Sequence, residues 1–242
     1  MRVEKNQINP SLEVLKQKRR QTKLILIAVI ILIVFIIFPL IFIGLSGLFH
    51  LPVISSLFGT AKAKDLGIIN SESAVQNLLA KVPLKMNGEP GDFCLLCARK
   101  FEGQISVDTQ ITSEEVTTFI NKYIGEDETI ENLQVRMMKG GLEVSANLKK
   151  PIKIPVYVKV AVSLADTNRV SLKIEQAKVG FLPIPGGYRE KAQKWFEQTV
   201  NKRITEINGF SLEKLDYHEG YGDFKGILPA EVTPSQGQWL KL

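Results

Sequence analysis

Ile152-Lys-Ile-Pro-Val-Tyr-Val-Lys-Val-Ala-Val162 is the cleanest alternation in the chain. Ile152, Ile154, Val156, Val158, Val160 and Val162 share one side, which is the period of a strand. Pro155 lies within the run. A proline cannot donate to a ladder, so the sequence predicts an edge strand or a bulge here. On the N-terminal side stand Val135 and Met137, then Lys139-Gly140-Gly141, then Leu142, Val144, Ala146 and Leu148. The glycine pair reads as a tight hairpin. On the C-terminal side Ala165-Asp-Thr-Asn168 turns the chain into Val170, Leu172 and Ile174, with a further strand over 177–182. Ile105 to Ile111, Leu212 to Tyr217 and Phe224 to Leu228 complete the strands. Strict alternation joined by short turns makes an antiparallel sheet.

Three helices are expected to cover that sheet. The first runs over 71–82, with Val75, Leu78, Leu79 and Val82 at helical spacing and Pro83 beyond it. The second starts at Thr112-Ser-Glu-Glu115, a capping box, and turns Val116, Phe119, Ile120 and Tyr123 to one face. The third runs over 188–207, with Tyr188, Ala192, Trp195, Phe196, Val200, Ile204 and Ile207 as its apolar side. Glu190, Gln193, Lys194, Glu197, Gln198, Asn201 and Lys202 are assigned to the solvent side. The fold class is α+β: a curved antiparallel sheet packed on long amphipathic helices.

Upstream of this domain, Leu24 to Ile43 is an unbroken apolar run with no Asp, Glu, Lys, Arg, Asn or Gln. Twenty residues at the helical rise span about 30 Å, the thickness of a bilayer's hydrocarbon core. Seven basic residues precede it (Arg2, Lys5, Lys16, Lys18, Arg19, Arg20, Lys23) against Glu4 and Glu13. That excess places the N-terminus in the cytoplasm and the rest outside. The run exceeds the length of a signal-peptide core, so an uncleaved anchor is expected. The organisation is then a basic cytoplasmic tail over 1–23, a transmembrane anchor over 24–48 and a juxtamembrane linker over 49–60. The extracytoplasmic α+β domain covers 61–229, and a flexible tail covers 230–242.

The chain carries 31 basic and 25 acidic residues, a net charge of +6. The first 23 residues hold seven of the basic and two of the acidic, so everything after them has 24 against 23. The basic balance belongs to the topology signal, and composition gives no support for nucleic-acid binding. Cys94-Leu-Leu-Cys97 holds the only cysteines. They are candidates for a disulfide, which the outer face of a membrane permits. A redox pair and half a shared metal site are the alternatives, although zinc wants four ligands and His218 is the one histidine after the linker. No metal-binding motif, nucleophile elbow or phosphate-cradling loop is present, so no cofactor, metal site or catalytic residue is assigned and the chain is read as a non-enzyme.

Val179-Gly-Phe-Leu-Pro-Ile-Pro185, a long helix, and Phe224-Lys-Gly-Ile-Leu-Pro229 resemble the ending of a group of bacterial membrane-anchored domains, the YpmS-like and LmeA-like proteins. Ile111-Thr-Ser-Glu-Glu-Val-Thr-Thr-Phe-Ile-Asn121 resembles their helix start. The resemblance implies a sheet strongly curved around a long helix, similar to half of a tubular lipid-binding domain. It implies lipid binding on the outer face of the membrane and no catalytic residues. On that reading Phe119, Ile120, Tyr123, Phe181, Trp195, Phe196, Val200 and Ile204 are the candidate ligand-binding residues, lining a groove between sheet and helices. The competing reading is an envelope assembly or scaffold protein that pairs with a protein partner through an open edge at Ile152 to Val162.

Overall fold

The computed structural model describes residues 31–38, 62–89, 92–93, 97–123, 130–149 and 154–238. Contacts divide the chain into Met1–Gly59 and Thr60–Leu242. In the first unit residues 31–38 form a helix with exposed side chains; the remainder of the expected 24–48 span lies outside the described residues. Among the described residues no helix is long and apolar enough to cross a membrane.

The second unit is α+β. In chain order its elements are α1 (Glu72–Lys81), β1 (Lys85–Met86), β2 (Cys97–Glu102), β3 (Ile105–Thr112), α2 (Ser113–Tyr123), β4 (Ile130–Met138), β5 (Gly141–Leu148) and β6 (Ile154–Asp166). β7 (Arg169–Val179), β8 (Leu182–Pro183), α3 (Gly186–Thr205), β9 (Ser211–Tyr217), β10 (Tyr221–Leu228) and β11 (Glu231–Gln238) follow. The strands form three sheets, in the orders β4-β5-β6-β7-β8, β3-β10-β9 and β1-β11-β2. All pairings are antiparallel except β1 with β11.

Local chemistry explains where the elements begin and turn. The Ser71 side chain accepts from Ala74 N to open α1. The capping box at α2 is made as expected: Thr112 N donates to Glu115 Oε2 at 2.8 Å and Glu115 N to Thr112 Oγ1 at 3.2 Å. Glu115 also receives Lys81 Nζ at 2.6 Å, tying α1 to α2. Gly140, at φ +80°, makes the β4–β5 hairpin, and a Cβ on the neighbouring Gly141 would stand 2.0 Å from Val160 O. Two apolar clusters form the core: Val160, Val170, Leu172 and Leu212 in one, Leu78, Val82 and Val107 in the other. Phe224 packs against both.

Three expectations are corrected. The strand expected at an edge is not one: β6, described from Ile154, is the middle strand, paired with β5 on one side and β7 on the other. Pro155 is tolerated because its missing donor falls where the β7 pairing has ended. Val156–Val179 is the last register pair, and beyond it Gly180 N donates to Pro155 O at 2.8 Å. Residues 231–238, expected to be part of a flexible tail, form β11, the central strand of the third sheet. Finally, α3 buries none of its residues.

The placement of α3 follows from its polar side chains. Gln193 Oε1 accepts from Ile174 N at 3.0 Å, and Glu197 Oε2 from Leu172 N at 3.1 Å. Asn201 accepts from Val170 N and donates to Val170 O, both at 2.9 Å. Arg189 Nη1 donates to Glu175 O at 3.0 Å. These residues recur every four positions; Gln193, Glu197 and Asn201 meet alternate residues of β7 from 174 to 170, and Arg189 meets Glu175 beside them. Four helical residues rise about 6 Å, and two strand residues advance about 6.6 Å, so the two repeats run nearly in step. Of the side expected to face solvent, Gln193, Glu197 and Asn201 therefore face the strand, while Glu190, Lys194, Gln198 and Lys202 are exposed.

The opposite edge of the same sheet is closed in the same way. Ser113 Oγ accepts from Met137 N at 2.8 Å. Thr117 Oγ1 accepts from Val135 N at 2.9 Å and donates to Val135 O at 3.1 Å. Asn121 Nδ2 donates to Leu133 O at 2.8 Å. Here too the helix repeats by four and the strand by two, in antiparallel sense.

Candidate functional site

Between the two core clusters the apolar packing leaves two adjoining hollows. The first, of about 260 Å³, is walled by Phe119 and Tyr123 of α2, Met86 of β1, Phe101 of β2 and Val232 of β11, with Phe93 and Leu84 from the connecting chain. Ile207 and Phe210, just past α3, and Leu228-Pro229 close its far end. The second, of about 200 Å³, is walled by Leu78 and Leu79 of α1, Val82 at its C-terminal cap, Ile111 of β3, Val116 of α2 and Phe224 of β10. Leu84, Phe119 and Leu228 border both, so the hollows form one groove with Phe119 at its waist. The Phe119 and Tyr123 rings lie 4.9 Å apart, and Phe93 meets Tyr123 edge-on at 5.8 Å.

Arg99 of β2 is the charged residue in this wall. Its burial, and then the nearby charge of Arg203, push its pKa down. Arg203 lies over the Phe101 ring at 5.3 Å and pairs with Glu206 at 2.8 Å. The site thus offers an apolar trough with one guanidinium, that of Arg99, in its wall.

The candidate ligand-binding residues do not converge. Phe119 and Tyr123 line the groove; Ile120, half-buried on the same helix, lines neither hollow. Val200 and Ile204 pack against the Val160–Leu212 cluster. Phe181 borders a separate hollow with Lys62, Lys64, Tyr157 and Lys178. Trp195 and Phe196 are exposed on α3. Cys94 lies outside the described residues. Cys97 opens β2, and the expected disulfide lies outside the described residues.

A polar cluster marks one face of the five-stranded sheet. Glu143, buried on β5, accepts from Tyr157 OH at 2.5 Å, pairs with Arg136 and lies 3.4 Å from Lys64 Nζ. Burial alone would raise the Glu143 pKa. The Tyr157 hydrogen bond and the Arg136 and Lys64 charges outweigh it and hold the pKa below 4.5. Burial and the same hydrogen bond push Tyr157 up to about 12. Lys64 also lies 4.3 Å over the Tyr157 ring, and Leu66 N donates to Gln134 at 2.6 Å, so the first described residues of the domain strap this face. His218 is a surface residue, stacked on Tyr221 at 4.8 Å and 3.6 Å from Asp223.

Compared with protein-family models, curated proteins and solved structures, the chain finds no match.

Proposed function

We propose that the chain is a single-pass, membrane-anchored binding module that holds an apolar, lipid-like ligand in the Phe119 groove and catalyses no reaction. Leu24 to Ile43 would be the anchor, with the N-terminus in the cytoplasm and the domain outside. Kinship with the YpmS-like and LmeA-like group belongs to the same reading. The observation that carries it is the groove itself: two joined hollows whose walls are almost wholly apolar, in a domain small enough to have closed over them. The scaffold reading loses support, because the strand assigned to partner pairing is paired on both sides.

The test uses the full chain in vesicles containing a phospholipid with a photoactivatable acyl chain. Labelling is expected on the segments bearing Phe93, Phe101 and Phe119, and Phe119→Trp, which fills the waist, is expected to abolish it. Labelling confined to residues 24–43 would contradict the proposal.

A further inference from the structure

The four-residue ladder fixes how α3 is rotated, and so fixes what it shows to the outside. Arg189, Gln193, Glu197 and Asn201 are bound to β7. Trp195 precedes Glu197 by two residues, about 200° around the helix, and so stands on the far side. Tyr188, Trp195 and Lys202 recur every seven residues and share that outer stripe, with Lys191 between them. All four are exposed, Tyr188 at 70 % and Trp195 at 50 %. Phe196 borders the stripe and is 45 % exposed.

We propose that this outer stripe of α3 rests on the headgroup layer of an anionic bilayer. Tyr and Trp combine an apolar body with a polar tip, the combination suited to the boundary between water and hydrocarbon. Lys191 and Lys202 lie in line with them, and Lys194 beside them is exposed too, while Glu190 is the one exposed acidic residue along 186–205. That charge complements anionic headgroups, and lysine stems can reach past the rings to them. A protein-core partner would have to desolvate the same lysines. The inference relies on the anchor reading only for the nearness of the bilayer.

The test places the full-length Trp239→Phe protein, whose sole tryptophan is then Trp195, in phosphatidylcholine–phosphatidylglycerol vesicles with brominated acyl chains. Bromine is expected to quench Trp195 emission about twofold. Acrylamide in the water should then quench it weakly. Lys191→Glu and Lys202→Glu are each expected to lower the docked population about fivefold. Full quenching by acrylamide with none by bromine would overturn the proposal. Protection from both quenchers would also overturn it, because a protein surface would then cover the stripe. Flotation after an alkaline wash reads the anchor separately: protein stripped from vesicles that had quenched Trp195 would sink the anchor and keep the docking.

Discussion

Two open stretches of the five-stranded sheet, β4 and the part of β7 that the short β8 does not reach, are closed by one device on two unlike helices. At β4, α2 supplies Ser113, Thr117 and Asn121, and four of its residues (Ser113, Glu115, Thr117 and Thr118) are buried. At β7, α3 supplies Arg189, Gln193, Glu197 and Asn201, and none of its residues is buried. An edge strand presents unpaired N–H and C=O groups that invite aggregation. Here a helix of matching repeat takes them. The difference lies in reach. Short hydroxyls bring α2 against its strand, with an apolar side left to wall the groove. Longer side chains hold α3, which packs Val200 and Ile204 on the core and leaves Tyr188, Trp195 and Phe196 exposed. A helix bound through its polar side need not bury its apolar one.

The comparison can be broken at either edge. The largest effect is expected at Thr117→Val, which keeps shape but strands both polar groups of Val135 at a position with 0 % exposure. Urea denaturation should show a loss of about 3 kcal/mol. Asn201→Leu removes the equivalent pair of bonds to Val170 at the more open edge, with an expected cost of about 2 kcal/mol. A larger loss at Asn201 than at Thr117 would reverse the ranking of the two edges.

The sheet face between the edges adds a pH signature. Glu143, with its pKa lowered in the folded state, contributes stability that is complete above its ordinary range and is lost as pH falls below 4.5. Tyr157, raised from 10.0 to about 12, contributes stability that is present below pH 10 and lost as pH rises through that interval. Tyr157→Phe should therefore flatten the alkaline limb of the stability profile and weaken the acidic one. Unchanged limbs would remove the hydrogen bond from the account. The smallest effect is expected at Trp195→Ser, within about 0.5 kcal/mol of the parent, because the residue is exposed and belongs to neither core cluster. A loss of several kcal/mol there would place the ring in the core after all.

The contrast also explains what the sequence discloses. The capping box at Thr112–Glu115, the Gly140 turn and the Pro83 stop are local chemistry, legible over four residues. Most strands show in their alternation. β11 does not: Glu231-Val-Thr-Pro-Ser-Gln-Gly-Gln238 has no apolar period, and its partners β1 and β2 lie far back along the chain. The Pro155 strand looks like an edge because the chain alone cannot say where a neighbour's ladder stops. Phe119 and Tyr123 were legible as groove residues, four apart on the apolar face of a capped helix. Leu84, Phe101 and Val232 were not, since they come from three separate segments without helical spacing. The sequence places Val200 and Ile204 of α3 on the core and Glu190, Lys194, Gln198 and Lys202 in solvent, but hydrophobic patterning misplaces Gln193, Glu197 and Asn201, which bind β7, and Trp195 and Phe196, which are exposed. The exact four-residue recurrence of Gln193, Glu197 and Asn201 was the available signal.

Site-resolved amide exchange along β7 tests the ladder most directly. The N–H groups of Val170, Leu172 and Ile174 point to α3, while those of Ser171 and Lys173 fall to β6. Both sets should be protected in the parent protein. In the combined variant Gln193→Leu, Glu197→Leu and Asn201→Leu, the first set should exchange rapidly while the second stays slow. Slow exchange at Val170, Leu172 and Ile174 in that variant, or rapid exchange there in the parent, would contradict the account.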